Sequence, residues 1–530
     1  MGYTKNPKNI KAMEKNRTPQ LKSEEKVDLT LDKSVSKNLD KFKAFLEESS
    51  DAVFREFKLG MQGIPCALVY IDGLVDKMLI HEQILKPMMY QIAILENTVQ
   101  RPIEPDKAFD YVKMHALAVG EIKEAETLDE AFLFIMSGEV GIIIEGFDKI
   151  LIASARGWPQ RGIQEPPSEI VIRGPREGFT ETLRSNTALL RRKIRDPNFV
   201  IKTIRIGRRG KTDVAYAYIK GIANQGLVEE VERRLNQIDV DIFLDSSQIE
   251  HHIQDSYLTI FPQIEVSERP DRTAASLAEG RVAILMDNSP YALIVPATFY
   301  QFFQSSEDYY ERWPLSSVIR ILRWVGALLA SLTPGLYVAI VSFHPGFIPT
   351  SLAISIAATR ATVPFPAFLE ALLMELTFEL LREAGARLPR AIGQTIGIVG
   401  GLIIGDAAVR AGITSPIMVI VVAITAIASF IIPSYNAALG IRLMRFPFII
   451  IAAVFGIYGV ILGFIIINVH MVTMKSYGVS FMSPQAPIRY QDWKDFLIRL
   501  PSQMAMRRPT STYPVDIDRR DQDPVKEDTQ

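Results

Sequence analysis

ILRWVGALLASLTPGLYVAIVSF, residues Ile321–Phe343, is apolar over about the length needed to cross the hydrocarbon core of a bilayer. Three more runs of similar character follow, Ala391–Ala408, Ile417–Ile432 and Phe446–Ile467. Within the four, only Arg323 and Asp406, both near an end, carry charge. Lipid offers backbone N–H and C=O groups no partners, so each run is expected to be helical. Everything before Ile321 is rich in Lys, Arg, Asp and Glu. The pattern predicts an α/β soluble module followed by an α-helical polytopic membrane domain.

The bulk composition hides this division. A net charge of −1 and 22% charged residues would suit an ordinary globular protein, because the average mixes a charged half with an apolar half. Near-zero charge gives no support to nucleic-acid binding. The one cysteine, Cys66, forms no intrachain disulfide, so nothing requires an oxidising compartment. The basic start (Lys5, Lys8, Lys11, Lys15, Arg17) has no apolar stretch behind it, so no cleavable signal peptide is expected and the large N-terminal module is expected in the cytoplasm. The expected partition is a disordered polar tail at 1–39, α/β subdomains at 40–158 and 198–312 with a linker and helix at 159–197 between them, a membrane domain at 313–469 and a polar tail at 470–530. The first tail reads as a solubilising leader or as a segment drawn to anionic headgroups.

The soluble module reads as one fold used twice. Ala67–Gly73 (ALVYIDG) is strand-like and ends at glycine before a helical stretch through Lys86; Ala215–Gly221 (AYAYIKG) has the same form before Leu227–Ile238. Downstream, Met136–Ile144 (MSGEVGIII) and Ala278–Met286 (AEGRVAILM) each end a helix, turn at Gly138 or Gly280 and enter an apolar strand. A return strand follows in both, Lys149–Ala153 and Tyr291–Pro296. Between the halves, RGPREGF at Arg173–Phe179 leads into an expected amphipathic helix, Thr180–Arg195, with Arg184, Arg191, Arg192, Lys193 and Arg195 as a basic face. That face reads as solvated, or as a dock for an acidic partner or phosphate.

Several motifs carry no chemistry. Gly207–Thr212 (GRRGKT) has two residues, not four, between its glycines, so it reads as a turn between strands. His251 and His252 are adjacent and point different ways on a helix, which argues against a metal site. No nucleophile-elbow, zincin or dinucleotide pattern is present, so no catalytic residue, cofactor or metal is expected, and an enzyme is not the reading.

Two patterns in the apolar half are candidate sites. Gly393, Gly397, Gly401 and Gly405 recur every fourth residue, leaving one helix face free for close approach of another backbone, within or between subunits. Gly456, Gly459 and Gly463 are a weaker version. Pro364–Glu383 (PFPAFLEALLMELTFELLRE) is apolar yet carries Glu370, Glu375, Glu379 and Glu383. Such carboxylates need water, cations or arginine partners. In a symmetric oligomer they would form an acidic ring on a cation path; alternatively the segment is an interfacial helix whose acids pair with Arg360, Arg382, Arg387 and Arg390. If this segment does not cross, four spans return both termini to one side but leave Arg442 and Arg445 on the other; a fifth crossing reverses both results.

At these residues the chain resembles the A subunits of GerA-type spore germinant receptors. The resemblance rests on RGPREGF with the following NTALLRRKIRDPN (Asn186–Asn198), Glu268–Val282 (ERPDRTAASLAEGRV), Ser305–Trp313 (SSEDYYERW), Ser342–Pro345 (SFHP), Val363–Leu388 and Gln394–Ser434, and covers roughly Lys43 to Lys494. It implies a multi-pass protein of the spore inner membrane, assembled with a transporter-like B subunit and a lipoprotein C subunit. It further implies a homo-oligomer, a pentamer, forming a nutrient-gated cation channel that starts germination. A non-conducting scaffold that relays the signal of other subunits, and a sporulation paralogue of the same family, are the alternatives.

Overall fold

Antiparallel pairing organises the first half of the chain and a little more, up to Val295. The computed structural model describes residues 30–99, 103–157, 165–166, 168–387, 404–504 and 506–519. In the first half, helix α1 (Val35–Leu46) precedes β1 (Ala52–Leu59) and β2 (Ile64–Ile71), a helical stretch over 77–99, β3 (Ile122–Ala125), α2 (Leu128–Met136), β4 (Val140–Ile144) and β5 (Ile150–Ala153). The second half has α3 (Leu183–Lys193), β6 (Phe199–Ile206), β7 (Thr212–Ile219), α4 (Gln225–Asn236), α5 (Ser246–Ile253), β8 (Glu265–Ser267), α6 (Pro270–Ala278), β9 (Val282–Met286) and β10 (Ala292–Val295). The sheets run β1-β2-β4-β5-β3 and β6-β7-β9-β10-β8.

Register makes the two sheets copies of one another. Ala52 faces Ile71 as Phe199 faces Ile219. Cys66 faces Ile144 as Val214 faces Met286. Val140 faces Ala153 as Val282 faces Val295, and Ala125 faces Ile150 as Ser267 faces Ala292. A register slip would turn every core side chain outward, so a shared register means a shared core plan. Gly73 and Gly221, and Gly138 and Gly280, all have positive φ at matching turns. Each sheet is covered on both faces: α1 and α2 pack on one side of the first, the 77–99 stretch on the other.

The repeat begins earlier than the sequence suggested. Helix α1 starts at Val35, inside the stretch expected as a tail, and buries Val35, Leu39, Phe42 and Leu46 at helical spacing. Its counterpart is α3, which was assigned to the linker. Both helices carry a buried asparagine doing the same work. The Asp32 amide donates to the Asn38 side-chain oxygen (2.8 Å), and Asn38 Nδ2 donates back to the Asp32 carbonyl. The Thr180 amide donates to Asn186 (2.7 Å), and Asn186 Nδ2 donates to the Thr180 carbonyl. The basic face of α3 is also not wholly solvated: Arg191 is fully buried and donates to both Asp51 oxygens at 2.8 and 2.9 Å, tying the halves together.

Between Trp313 and Thr473 the described residues are mainly helical, with α7 (Trp313–Phe343), α8 (Thr350–Arg360), α9 (Ala367–Arg387), α10 (Pro416–Phe430) and α11 (Tyr435–Thr473). Two of these, α7 and α11, are long and apolar enough to cross a membrane. The expected single span Phe446–Ile467 is corrected by Gly456, whose φ of 61° and ψ of −141° break α11 in two. A Cβ on Gly463 would lie 3.1 Å from the Phe448 ring and one on Gly459 2.5 Å from the Ile451 carbonyl oxygen. In a straight helix residues 448 and 463 stand about 22 Å apart. Helix α11 is therefore a hairpin of two antiparallel arms.

Both ends of that hairpin return to the second sheet. A Cβ on Gly440 would lie 2.8 Å from the Ile260 carbonyl oxygen, and Thr259 Oγ1 lies 3.2 Å from His470 Nε2. The far end is the Gly456 turn, packed on Phe343 and His344 at the end of α7. Of the tail expected to be polar and partly disordered, the described residues 470–504 and 506–519 pack against both parts of the molecule. Phe481 joins the core of the helical part, Tyr477 that of the second sheet, and Ser476 Oγ donates to the Gln263 carbonyl at 2.7 Å. Its aromatic residues, Tyr477 and Phe481, supply the burial that its polar composition obscured.

Candidate functional site

Helix α9 carries the acidic stripe, and its surroundings split the four carboxylates into two kinds. Glu370 and Glu375 lie on the buried face with Ala367 and Ala371. Glu370 Oε1 accepts from the Ser415 amide and hydroxyl, both at 2.6 Å, and from Thr414 Oγ1 at 3.0 Å. Ser415 caps the N-terminus of α10, so the carboxylate sits where the helix dipole favours negative charge. Arg360 approaches its other oxygen at 3.6 Å. Glu375 is ion-paired with Arg445 of α11, both fully buried, and Arg445 Nε donates to the Arg442 carbonyl at 3.0 Å.

Glu379 and Glu383 are less enclosed, Glu379 one turn beyond Glu375 and partly buried, Glu383 exposed. Glu379 pairs with Arg382 on its own helix and its side chain is 28% exposed; Glu383 pairs with Arg387 at 2.7 Å and is 61% exposed. Neighbouring Leu376 and Leu380 are exposed as well. Arg360, Arg382 and Arg387 were foreseen as partners; Arg390 lies outside the described residues. Arg445 was not foreseen, because it comes from a helix 70 residues away, and no spacing rule links the two. Arg442 and Arg445 lie in the arm of α11 that starts beside Ile260 of the second half.

Of the glycine stripe, Gly393, Gly397 and Gly401 lie outside the described residues. Gly405 is buried, and an added Cβ would meet Val419 of α10 at 3.5 Å, ordinary contact. Gly326 and Gly335 of α7 approach the Ala428 and Phe448 carbonyls more closely, at 3.2 and 3.1 Å for an added Cβ. These were not singled out, since neither belongs to a regular repeat.

A cavity of about 260 Å³ opens where the second half meets the start of α11. Its wall is acidic, with Glu169, Asp245, Glu250, Glu265 and Glu268 facing Arg272. Burial, and then the Asp245 carboxylate, push Glu250 up to about 7. Glu169 is also raised by burial, against the pull of Arg272. A second tie between sheet and helices is Asp308, which is buried and accepts from Arg320 Nε at 3.0 Å and Arg323 Nη1 at 2.7 Å.

Comparison with known proteins places this arrangement. The family model described as Bacillus/Clostridium GerA spore germination protein matches residues 40–511. Spore germination protein KA of Bacillus subtilis is 45% identical over 92% of this chain and 89% of its own length. The membrane protein YfkQ of the same organism is 40% identical over 92% and 93%. A crystal structure of the N-terminal domain of the A subunit of the Bacillus megaterium spore germinant receptor GerK3 is 33% identical, with a TM-score of 0.39, over 51% of this chain and 97% of that one.

Proposed function

This chain belongs to the Bacillus/Clostridium GerA spore germination protein family, and from that membership and the helical part's geometry we propose that it is the A subunit of a nutrient germinant receptor in the spore inner membrane, forming an oligomeric, nutrient-gated cation channel. The helical part is its multi-pass membrane domain, with the sheet module cytoplasmic and the folded C-terminal segment on the same side. A transporter-like B subunit and a lipoprotein C subunit are its partners.

The observation that carries the channel reading is the split of the acidic stripe. Glu370 and Glu375 hold the subunit together, while Glu379, partly exposed, and Glu383, exposed, keep access to solvent along α9 and in the oligomer line a shared axis. Rings of acidic side chains raise local cation concentration in a pore. The test measures subunit abundance and cation conductance together, in the purified complex reconstituted into bilayers with and without nutrient. Glu379→Gln with Glu383→Gln should lower cation selectivity at normal abundance. Glu375→Gln should lower abundance first, because Arg445 is left buried without its partner, at a cost of about 3–5 kcal/mol. Unchanged conductance in Glu379→Lys with Glu383→Lys would favour the scaffold reading, in which the buried pairs only build a relay.

A further inference from the structure

We propose that the loop around Tyr257 and Leu258 is an interfacial anchor that inserts into the lipid headgroup region and seats the second sheet domain on the bilayer. This rests on the reading of the helical part as membrane-spanning.

The loop is built to hold two apolar side chains outward. Its base is pinned by Gln263, a buried residue whose Oε1 accepts from the Asp255 and Ser256 amides at 2.7 and 2.9 Å. Asp255 in turn accepts from Arg234 Nη2 at 2.8 Å and from the Tyr477 amide at 2.7 Å. On the other side Phe261 is buried against Phe299 and Phe481. Between these fixed points Tyr257 is 83% exposed and Leu258 81%. A braced loop with a bare Tyr-Leu tip is costly in water, since each side chain forgoes about 1.5–3 kcal/mol of burial.

Position says what covers it. Thr259, the next residue, meets His470 and the Met474 sulfur (3.4 Å) at the end of the second arm of α11. That arm exposes Ile465, Ile466, Val469 and Val472 along its outer face up to its last turn. The exposed apolar band of the arm thus runs directly into Tyr257 and Leu258 at the level where the helix stops. Tyrosine suits that level, with an apolar ring and a polar hydroxyl that remains wet. Lipid, rather than a second protein, is the occupant that the continuous band favours.

The full chain allows a direct test. Cys66 is buried, and burial pushes its thiol up to about 12, so it does not compete for a thiol-reactive dye. Leu258→Cys, Ile466→Cys and Met114→Cys, the last exposed on the first half, are each labelled with an environment-sensitive fluorophore. They are reconstituted in phosphatidylcholine–phosphatidylglycerol vesicles carrying quenchers at graded depth. The expected result is that Ile466 is quenched from deep positions, Leu258 from shallow positions with a blue-shifted emission, and Met114 only by aqueous iodide. If Ile466 is quenched by lipid while Leu258 answers only to iodide, the anchor is overturned and the membrane reading stands. If Leu258 is shielded from both quenchers, a protein surface covers the tip and the anchor is likewise overturned. If Ile466 also fails to sense lipid, the membrane reading itself falls and takes the anchor with it.

Discussion

The two halves of the sheet module share strand order and register, yet among the described residues only the second is fastened to the helices, through Asp308, Gln263 and the tail that follows α11. Divergence shows most clearly at one matched position. Immediately after the positive-φ glycine before the fourth strand of each sheet stands a buried charge: Glu139 in the first half, Arg281 in the second. Glu139 pairs with Arg156 at 2.7 Å, and Arg281 with Glu265 and Glu279 at 3.1 and 3.2 Å. Duplication kept the backbone plan and the need for a paired ion there, but inverted its sign. The inverted set belongs to the ionic network beside the acidic cavity, at the junction with α11. One copy has therefore become the mechanical link, and the other is held through it by Arg191 and Asp51.

The largest expected effect comes from cutting that link. Asp308→Ala removes the buried carboxylate shared by Arg320 and Arg323; Arg320 keeps Asp495 at 2.7 Å, whereas Arg323 is left buried with the Phe303 carbonyl, and losing the partner of such a group costs about 3–5 kcal/mol. Hydrogen exchange on the full-length protein should show lost protection at β8–β10 and the start of α7, with β1–β5 retaining theirs. Equal loss in both sheets would mean that the halves are one cooperative unit and that the contrast drawn between them is false.

Much of the repeat was legible because the central strands of each half are near-continuous apolar runs, with a glycine closing β2 and β7 and another opening β4 and β9. The outer strands were not. Strand β1 alternates apolar residues with Arg55, Glu56 and Lys58, as suits an edge half open to water, and β8 is only three residues long. The acidic stripe was visible in the spacing of α9, but its division depended on Arg445, Thr414 and Ser415, which only tertiary packing brings near. Hydropathy misread α11 for a related reason: it measures composition along Phe446–Ile467 and is blind to direction. Gly456 was the sole local signal, and it was taken as part of a packing stripe rather than as the turn.

The paired asparagines sharpen the comparison with a smaller effect. Asn38→Ala and Asn186→Ala each remove a buried amide that satisfies two backbone groups, at an expected cost of about 1–3 kcal/mol. Thermal unfolding of the two variants should show similar losses, because the brace is the same in each half. Unequal losses would locate the more strained copy, and a negligible loss at both would remove the brace from the shared core plan.

The smallest effect separates the halves by pH. Glu250 in the second half is raised from 4.5 to about 7, mainly by burial and then by Asp245, in a cavity whose other charges are Glu169, Glu265, Glu268 and Arg272. Its folded form therefore holds a proton that the unfolded chain has released between those two values. The native state binds more protons in that window, so stability contributed at this site falls as pH rises from about 4.5 to about 7. Partial exposure of Glu250 limits the effect to about 1–2 kcal/mol. Glu250→Gln stays neutral throughout and should remove this slope, leaving the variant more stable than the parent near pH 7 and close to it near pH 4.5. Exchange protection of β8–β10 across this range is the measurement, with β3–β5 as the internal reference. An identical pH slope in parent and variant would show that Glu250 is ionised at the junction, and that the acidic wall of the cavity is balanced by charge from elsewhere.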